Sequence, residues 1–316
     1  MINPTRREWL AATPAALSLS ALALSNASAH NIDRPADEPF GYCLNTSTIM
    51  GQKLPLAEIV EIAAKAGYHA IEPWIGELEA HEKAGKSLAD LGKKIKDLGL
   101  TVESAIGFAE WAVDDEAKRM KGLEQMRRDM AKVRALGGTR IAAPPSGATD
   151  QTDLDLRKVA ERYRKILEIG DTIGVVPQVE VWGFSKSLNR LGEVAMVAIE
   201  SGSASACILA DVYHLYRGGS DFAGVTLLNG NALKVLHMND YPASPPRAEI
   251  TDAQRVYPGD GVAPLGKLLR DLQSIGFRGY LSLEVFNRDY WKQDALTVAR
   301  TGLEKMRTSV KAAMHK

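Results

Sequence analysis

The sequence predicts an α/β protein with a closed (β/α)₈ barrel, also called a TIM barrel, and three observations support this fold. Strand-like and helix-like segments alternate eight times after Phe40. The strand-like segments are short apolar runs, which is typical of parallel strands buried on both faces. The length of 316 residues suits one such barrel. A doubly wound open sheet is the main alternative, but "CLNTSTIMGQ" after the first strand lacks that fold's glycine-rich phosphate turn.

The first half of the barrel is predicted as follows. Strands are expected at "FGYCLNTST", "YHAIEPW", "TVESAIGF" and "TRIAAPP". Helices are expected at "LAEIVEIAAKAG", at "SLADLGKKIKDLGL" and over residues 116–136, because apolar residues recur there at helical spacing. Gly67 and Gly137 follow two of these helices, and glycine is the residue that most readily ends a helix in the left-handed conformation.

The second half repeats the pattern four more times. Strands are expected at "VVPQVEVW", "ACILADVYH", "LKVLHMND" and "YLSLEVF". Helices are expected at "LDLRKVAERYRKILEIGDTIG", "LNRLGEVAMVAIESG" and "APLGKLLRDLQSIG", with a short helix over 222–228 and a final one over about 294–313. We therefore expect a single barrel domain over residues 30–316.

The N-terminal segment, residues 1–29, has the layout of a signal peptide. The paired arginines Arg6 and Arg7 precede a mildly apolar stretch that ends in the small residues Ala27-Ser28-Ala29. Paired arginines indicate the twin-arginine export route, so we expect a periplasmic or secreted protein. The alternative is an uncleaved N-terminal segment. The apolar run is too short and too rich in Ala and Ser for a membrane span, so we expect no stable membrane anchor.

Composition argues against a nucleic-acid-binding protein. The chain carries 39 basic and 39 acidic residues, which gives a formal net charge of zero. Proteins that grip nucleic acid through its phosphates usually present a basic face. We therefore expect a small-molecule partner and no nucleic acid. A homo-oligomer is compatible with the sequence.

Four consecutive strands of the second half end in a residue that can bind a metal ion. These residues are Glu180, Asp211, His237 and Glu284. The chemistry of such barrels lies at the carboxyl ends of the strands, where neighbouring side chains converge. Three clustered carboxylates would repel one another, and a divalent cation removes that conflict. The pattern predicts one divalent metal ion bound by all four side chains.

The ligand set does not select one metal. Carboxylates suit Mn²⁺ or Mg²⁺, and an imidazole also admits Co²⁺, Zn²⁺ or Fe²⁺. We favour Mn²⁺ or Co²⁺.

Several motifs resemble the xylose isomerase-like barrels, and more narrowly the sugar phosphate isomerase/epimerase family, which includes ketose 3-epimerases and inosose dehydratases. The resemblance covers the predicted barrel and rests on "AAKAGYHAIEPW", "VEVW", "ADVYHLYRGG", "LHMNDY…PGDG" and "GYLSLEVFN". It implies that Glu180 and Glu284 bind the metal and also move a proton as catalytic acid and base. Asp211 and His237 would be metal ligands only. The implied reaction forms an enediolate from a keto-sugar and returns the proton elsewhere.

The resemblance also implies a substrate-binding role for His214, three residues after the metal ligand on strand six. Arg217, three residues further on, would contact an anion or hydroxyl, or else lie in a solvated loop. Trp182 would form an apolar wall against a sugar face, or else belong to the barrel core.

Three more residues are candidates for the substrate pocket because of their positions. Asp240 and Arg247 follow strand seven, and Glu72 ends strand two. The predicted function is metal-dependent isomerisation or epimerisation of a free or derivatised keto-sugar, because an exported enzyme would meet few sugar phosphates. The alternative is a metal-dependent lyase or dehydratase acting on a keto-sugar or glycoside by the same enediolate chemistry. A non-catalytic sugar-binding barrel and an endonuclease-like protein are lesser alternatives; the latter use many histidine ligands, and this chain has six histidines.

Overall fold

The computed structural model describes residues 38–315, so the predicted signal segment lies outside the described residues. Eight parallel strands form one curled sheet in the order β3-β2-β1-β8-β7-β6-β5-β4. The strands are β1 Gly41–Asn45, β2 Ala70–Glu72, β3 Thr101–Val102, β4 Arg140–Ala143, β5 Val176–Glu180, β6 Cys207–Asp211, β7 Leu233–Met238 and β8 Tyr280–Leu283.

The gap between β3 and β4 is bridged by the segment that follows β3. The Ala105 N–H donates to the Arg140 carbonyl at 3.2 Å, and the Ala142 N–H donates to the Ala105 carbonyl at 2.8 Å. These bonds connect the two outer strands of the sheet, as the predicted barrel requires.

The helices surround the sheet. They are α1 Leu56–Ala66, α2 Ile75–Lys83, α3 Leu88–Asp97, α4 Glu116–Leu136, α5 Leu156–Ile173, α6 Leu191–Glu200, α7 Val212–Gly218, α8 Leu265–Ser274 and α9 Ala295–Met314. The main apolar core includes residues of both layers, such as Leu283 of β8 and Val298 of α9. Among residues 38–315, no helix has both the length and the apolar character needed to cross a bilayer.

All eight predicted strands are present, and three helical segments differ from the prediction. Helix α2 has no counterpart in the prediction, because its buried side chains are only Ile75 and Leu78, too few for a clear periodic pattern. The strand predicted at "ACILADVYH" ends at Asp211, and its last three residues begin α7. The Asp211 side chain accepts the His214 N–H at 2.8 Å, which caps the new helix. The predicted short helix over 222–228 is a 3₁₀ helix, Phe222–Leu227.

Alternate residues of each strand face the same side of the sheet, and along the barrel interior their chemistry changes. Ala70 and Tyr280 begin their strands, and they form an apolar cluster with Cys43 from the middle of β1. Two residues further along these strands the corresponding positions are Asn45, Glu72 and Ser282, and all three are buried. We call the end of the barrel where the strands finish its mouth.

Candidate metal centre and active site

Strand register brings the predicted ligands together at the mouth. Asp211 of β6 lies opposite His237 of β7, and His237 lies opposite Ser282 of β8. Glu284 follows β8 directly, and its N–H donates to the Met238 carbonyl at 3.3 Å. Parallel pairing at one height therefore places an imidazole between two carboxylates.

The distances define a compact group. His237 Nδ1 lies 3.1 Å from Glu284 Oε2 and 3.6 Å from Asp211 Oδ2. Each of these three residues offers a ligand atom within 4.8 Å of those of the other two. We call Asp211, His237 and Glu284 the buried trio. Glu180 adjoins the trio, with its Oε1 3.9 Å from His237 Nδ1.

The contacts of His237 show that the buried trio fits a metal ion. Its Nε2 lies 3.1 Å from Glu72 Oε2, so the Nε2 proton is directed to that carboxylate. Its buried Nδ1 finds no hydrogen-bond partner among the described residues. When the ring is neutral, a lone pair on Nδ1 faces the carboxylate oxygens, and either a proton or a metal cation between them turns this repulsion into attraction. Metal bonds of about 2.0–2.2 Å hold neighbouring ligand atoms roughly 3–3.5 Å apart, close to the separations in the trio.

Arg255 partly neutralises the same group. Its Nη1 donates to Asp211 Oδ2 and to Glu284 Oε2, both at 2.8 Å, and the residue is only 1% exposed. The guanidinium lies over the rings of Tyr213 and Phe286, 4.4 and 5.0 Å from their centroids. One guanidinium cannot balance the four buried carboxylates of the mouth. The remaining negative charge favours a dication, and each carboxylate keeps further lone pairs for it.

The ionisation of the site reflects this crowding. Burial is the main reason that the pKa of Glu180 is raised well above its usual value. Burial would also raise the pKa of Asp211, but Arg255, His214 and His237 together outweigh burial and hold that pKa well below its usual range. Burial alone would lower the pKa of His237, yet the carboxylates around it, led by Glu284, raise the pKa well above its usual value. A metal ion that binds here therefore displaces protons.

His214 supplies a neutral polar group to the same region. Arg255 Nη2 lies 3.2 Å from His214 Nε2 and, because a guanidinium can only donate, Nε2 is the acceptor. Burial lowers the pKa of His214 to about 4, so the ring is neutral near pH 7. Its buried Nδ1 has no partner within residues 38–315. This nitrogen carries the ring proton and can donate it to a ligand oxygen.

Asn45 ties the mouth together from β1. Its Nδ2 donates to Glu72 Oε2 and to Glu284 Oε1, both at 3.1 Å. Its Oδ1 accepts from Trp74 Nε1 at 3.0 Å. Glu284 is thus held at one oxygen by Asn45 and at the other by Arg255. The Glu180 carboxylate accepts no side-chain hydrogen bond from the described residues, so Glu180 is less restrained than Glu284.

A cavity of about 330 Å³ opens over these groups. Its polar lining includes Glu180, His214, Arg255 and Glu284. Its aromatic lining consists of Trp74, Phe108, Trp182, Phe184, Phe286 and Trp291. The predicted pair of acid/base residues, the histidine and the aromatic wall residue Trp182 therefore share one cavity.

Four other candidates lie elsewhere, which corrects their predicted place in the pocket. Glu72 is fully buried behind His237 and supports that imidazole. Asp240 accepts backbone N–H groups of the loop after β7, at 2.8 Å from Ala263 and 3.0 Å from Gly259, so its carboxylate organises that loop. Arg217 and Arg247 are not part of the cavity lining. Position near a strand end did not distinguish a residue that faces the cavity from one that supports it.

Two important residues were missed by sequence reasoning. Arg255 lies just before "VYPGDG", within the interval that separates the two halves of the motif "LHMNDY…PGDG". Nothing in its spacing indicates that a long loop folds it back onto β6. Asn45 could have been found, because the rule that examines the last polar residue of each strand applies to β1 as well as to β5 through β8.

Comparison with known proteins identifies relatives that are named as an isomerase, an epimerase and a dehydratase. The chain is 24% identical to an inosose isomerase of Bacillus velezensis, over 83% of this chain and 94% of that protein. It is 26% identical to a fructoselysine 3-epimerase of Escherichia coli O157:H7, over 81% of this chain and 94% of that protein. It is also 26% identical to a 3-dehydroshikimate dehydratase of Pseudomonas aeruginosa, over 73% of this chain and 36% of that protein.

The fold has close counterparts among solved structures. The crystal structure of the IolI protein with a bound zinc atom superimposes with a TM-score of 0.79 at 21% identity, covering 86% of this chain and 98% of that one. Residues 60–309 match the model of the xylose isomerase-like TIM barrel family. Since this match spans well over half of the sequence, the chain belongs to the xylose isomerase-like TIM barrel family.

Proposed function

We propose that this protein is a metal-dependent isomerase or epimerase of a keto-sugar. The observation that carries the proposal is that two carboxyl groups line one cavity: Glu284, a member of the buried trio, and Glu180, which adjoins the trio. Relatives named as an isomerase and an epimerase support the reaction class. These names describe those proteins.

The metal would be held by Asp211, His237 and Glu284, with Glu180 as a fourth ligand. When bound, such an ion polarises a carbonyl and makes the neighbouring C–H more acidic. The IolI neighbour contains zinc, so Zn²⁺ joins Mn²⁺ and Co²⁺ as the first metals to test.

The chain's own residues would move the proton. One glutamate takes the proton from the carbon beside the carbonyl, while the C–H electron pair shifts toward the carbonyl oxygen. Return of a proton to the opposite face inverts that carbon, and return to the former carbonyl carbon isomerises the sugar. Glu284 is fixed by Asn45 and Arg255, whereas Glu180 is less restrained. Neutral His214 would donate its Nδ1 proton to a substrate oxygen.

The decisive experiment measures exchange of carbon-bound hydrogen. A panel of keto-sugars is incubated with the protein in D₂O, with and without added Mn²⁺, Co²⁺ or Zn²⁺, and deuterium incorporation is followed by NMR. We expect metal-dependent exchange in wild type and its loss in Glu284→Gln. Exchange at the wild-type rate in that variant would show that Glu284 is not the acid/base group.

A dehydratase or lyase is the second candidate, because one relative is named a dehydratase. Removal of the same proton can be followed by departure of a group from the next carbon. The two reactions differ in mass balance. Loss of water or of an alcohol from the substrate would identify elimination, whereas an unchanged mass apart from deuterium would identify isomerisation or epimerisation.

We also propose the cellular compartment in which the protein acts. The paired arginines Arg6 and Arg7 support export by the twin-arginine route to the periplasm or beyond. An exported enzyme would meet free sugars and glycosides more often than sugar phosphates. Replacing both arginines by lysine should keep the protein in the cytoplasm, as cell fractionation would reveal.

A further inference from the structure

The cavity is encircled by aromatic side chains to an extent that one sugar ring does not require. Trp74, Phe108, Trp182, Phe184 and Phe286 form what we call the aromatic collar. Around the cavity the rings follow one another in the order Phe286, Trp74, Phe108, Trp182, Phe184. Ring centroids lie 5.1 Å apart for Trp74 and Phe108 and 6.1 Å apart for Phe108 and Trp182. The spacing is 5.1 Å for Trp182 and Phe184 and 5.9 Å for Trp74 and Phe286.

Two polar residues complete the circle. Phe184 lies 5.7 Å from the His214 ring, and Phe286 lies 5.0 Å from the Arg255 guanidinium. Arg255 and His214 contact each other at 3.2 Å. The circle therefore runs through residues after β2, β3, β5, β6, β7 and β8, and it surrounds the space above Glu180 and Glu284.

The rings of the collar are poor in hydrogen-bonding groups, although the charged residues Asp252 and Arg288 also line the cavity. The Trp74 Nε1–H already donates to Asn45, and both terminal nitrogens of Arg255 are engaged with carboxylates or with His214. A sugar held at this level would place hydroxyl groups against ring carbons, and unpaired hydroxyls are costly to desolvate. The sugar therefore fits below the collar, beside the glutamates and His214, where polar partners are present.

The outer part of the collar is exposed. Phe108 and Phe184 are 38% and 45% exposed. Grouped exposed apolar side chains around a cavity usually mark a binding surface. Aromatic side chains contact flat rings in stacked or edge-to-face arrangements. Each such contact stabilises binding by more than the burial of its apolar area alone. The chemistry that matches the collar is thus a flat apolar group attached to the sugar.

We propose that the substrate is an aryl glycoside of the keto-sugar, with its aromatic group held inside the aromatic collar. This inference rests on the proposed function for the position of the sugar ring. It names the substrate class that the reaction alone leaves open.

The test measures binding separately from turnover. Phenyl β-D-glucopyranoside and methyl β-D-glucopyranoside have no keto group, so they report binding alone. Titration calorimetry on the full barrel loaded with Mn²⁺ should give a Kd for the phenyl compound at least tenfold below that for the methyl compound. Phe184→Ala and Phe108→Ala should each reduce this ratio at least threefold, because each removes a ring of the collar. Leu227→Ala, at a side chain 90% exposed and outside the cavity lining, should leave the ratio unchanged.

Equal affinities for the two glucosides, no detectable binding of either at millimolar concentration, or an unchanged ratio in both Phe variants would overturn the aryl-glycoside inference. Phenyl preference without deuterium exchange on any keto-sugar would uphold the collar and refute the proposed reaction. Deuterium exchange on free keto-sugars without a preference for the phenyl glucoside would uphold the proposed reaction and refute the role of the collar.

Discussion

The two ends of the barrel interior have the same architecture and opposite chemistry. At the end where the strands begin, Ala70 and Tyr280 belong to an apolar cluster. Two residues along the same strands, at the mouth, Glu72 lies as deeply buried as Ala70. The strands pair in parallel at both ends of the barrel, so the backbone alone does not explain why the charged residues lie at the mouth.

The difference indicates that the buried charged residues at the mouth serve function and lower the stability of the fold. An apolar cluster gains from burial, whereas each buried carboxylate loses hydration that only a specific partner can replace. The mouth supplies such partners through Asn45, Arg255 and His237, yet negative charge remains in excess. Substitutions in the apolar cluster should therefore alter stability alone, whereas substitutions at the mouth should also alter activity or metal binding.

The largest expected effect is on turnover at the mouth. Glu180→Gln should lower the rate of deuterium exchange by about 10²–10⁴-fold, since an amide cannot take up the proton. Ala70→Gly, at the beginning of β2, should keep the wild-type exchange rate per folded molecule and lower the free energy of unfolding by about 1 kcal/mol. If both variants lost activity to the same degree, the two ends would not be functionally distinct.

The next effect concerns stability and the charge balance of the mouth. Arg255→Met removes the partner of two buried carboxylates and should cost about 3–5 kcal/mol of unfolding free energy without metal. Saturating Mn²⁺ should recover part of this loss, because the dication replaces the missing positive charge. Denaturant titration of both forms measures the two quantities.

A second arginine provides the matched control. Arg140, at the beginning of β4, pairs with Glu103 at 3.1 Å, and both side chains remain partly exposed. Arg140→Met should cost about 1 kcal/mol or less, with no effect of added metal. Similar losses for the two variants would show that Arg255 has no special role at the mouth.

The sequence predicted the architecture better than the details of the site. Apolar runs and helix-ending glycines such as Gly67 are local signals, so all eight strands were located. The ligand residues at the ends of β5 to β8 follow from the same local rule. Arg255 was missed because its position depends on how a long loop returns to β6. Asp240 was assigned to the pocket because sequence position does not reveal whether a carboxylate faces the cavity or backbone N–H groups.

A third prediction tests how His237 is prepared for metal binding. Glu72→Gln removes the charge that accepts the Nε2–H of His237, and it should weaken Mn²⁺ affinity by about 10–100-fold. Titration calorimetry at constant pH gives the Kd. Ser104→Ala is a suitable control, because Ser104 is buried and bonded to Gln178 at 3.0 Å, apart from the trio. An unchanged Kd in Glu72→Gln would mean that Glu72 does not orient His237 for the metal.

The smallest effect concerns a buried acid outside the barrel interior. Asp129 of α4 is buried, and its Oδ2 has no hydrogen-bond partner among the described residues. Burial raises its pKa from 3.8 to about 6, although Lys132 opposes the rise. A shift of this size corresponds to at most about 3 kcal/mol, and solvent screening reduces the expected effect to about 1 kcal/mol. Unlike the carboxylates of the mouth, this one gains no functional partner.

Asp129→Asn should therefore stabilise the protein at neutral pH, raising the Tm by about 2 °C. As the pH falls through about 6 toward 3.8, the folded wild type takes up a proton at Asp129 before the unfolded chain does. Wild-type stability then rises relative to the variant, so the advantage of the neutral amide should be present at pH 8 and vanish near pH 4. Thermal melts of the variant, of wild type and of the exposed control Asp97→Asn at these two pH values measure the difference. A Tm advantage that persists at pH 4 would show that ionisation of Asp129 is not its cause, and the contrast between this acid and those of the mouth would then need another explanation.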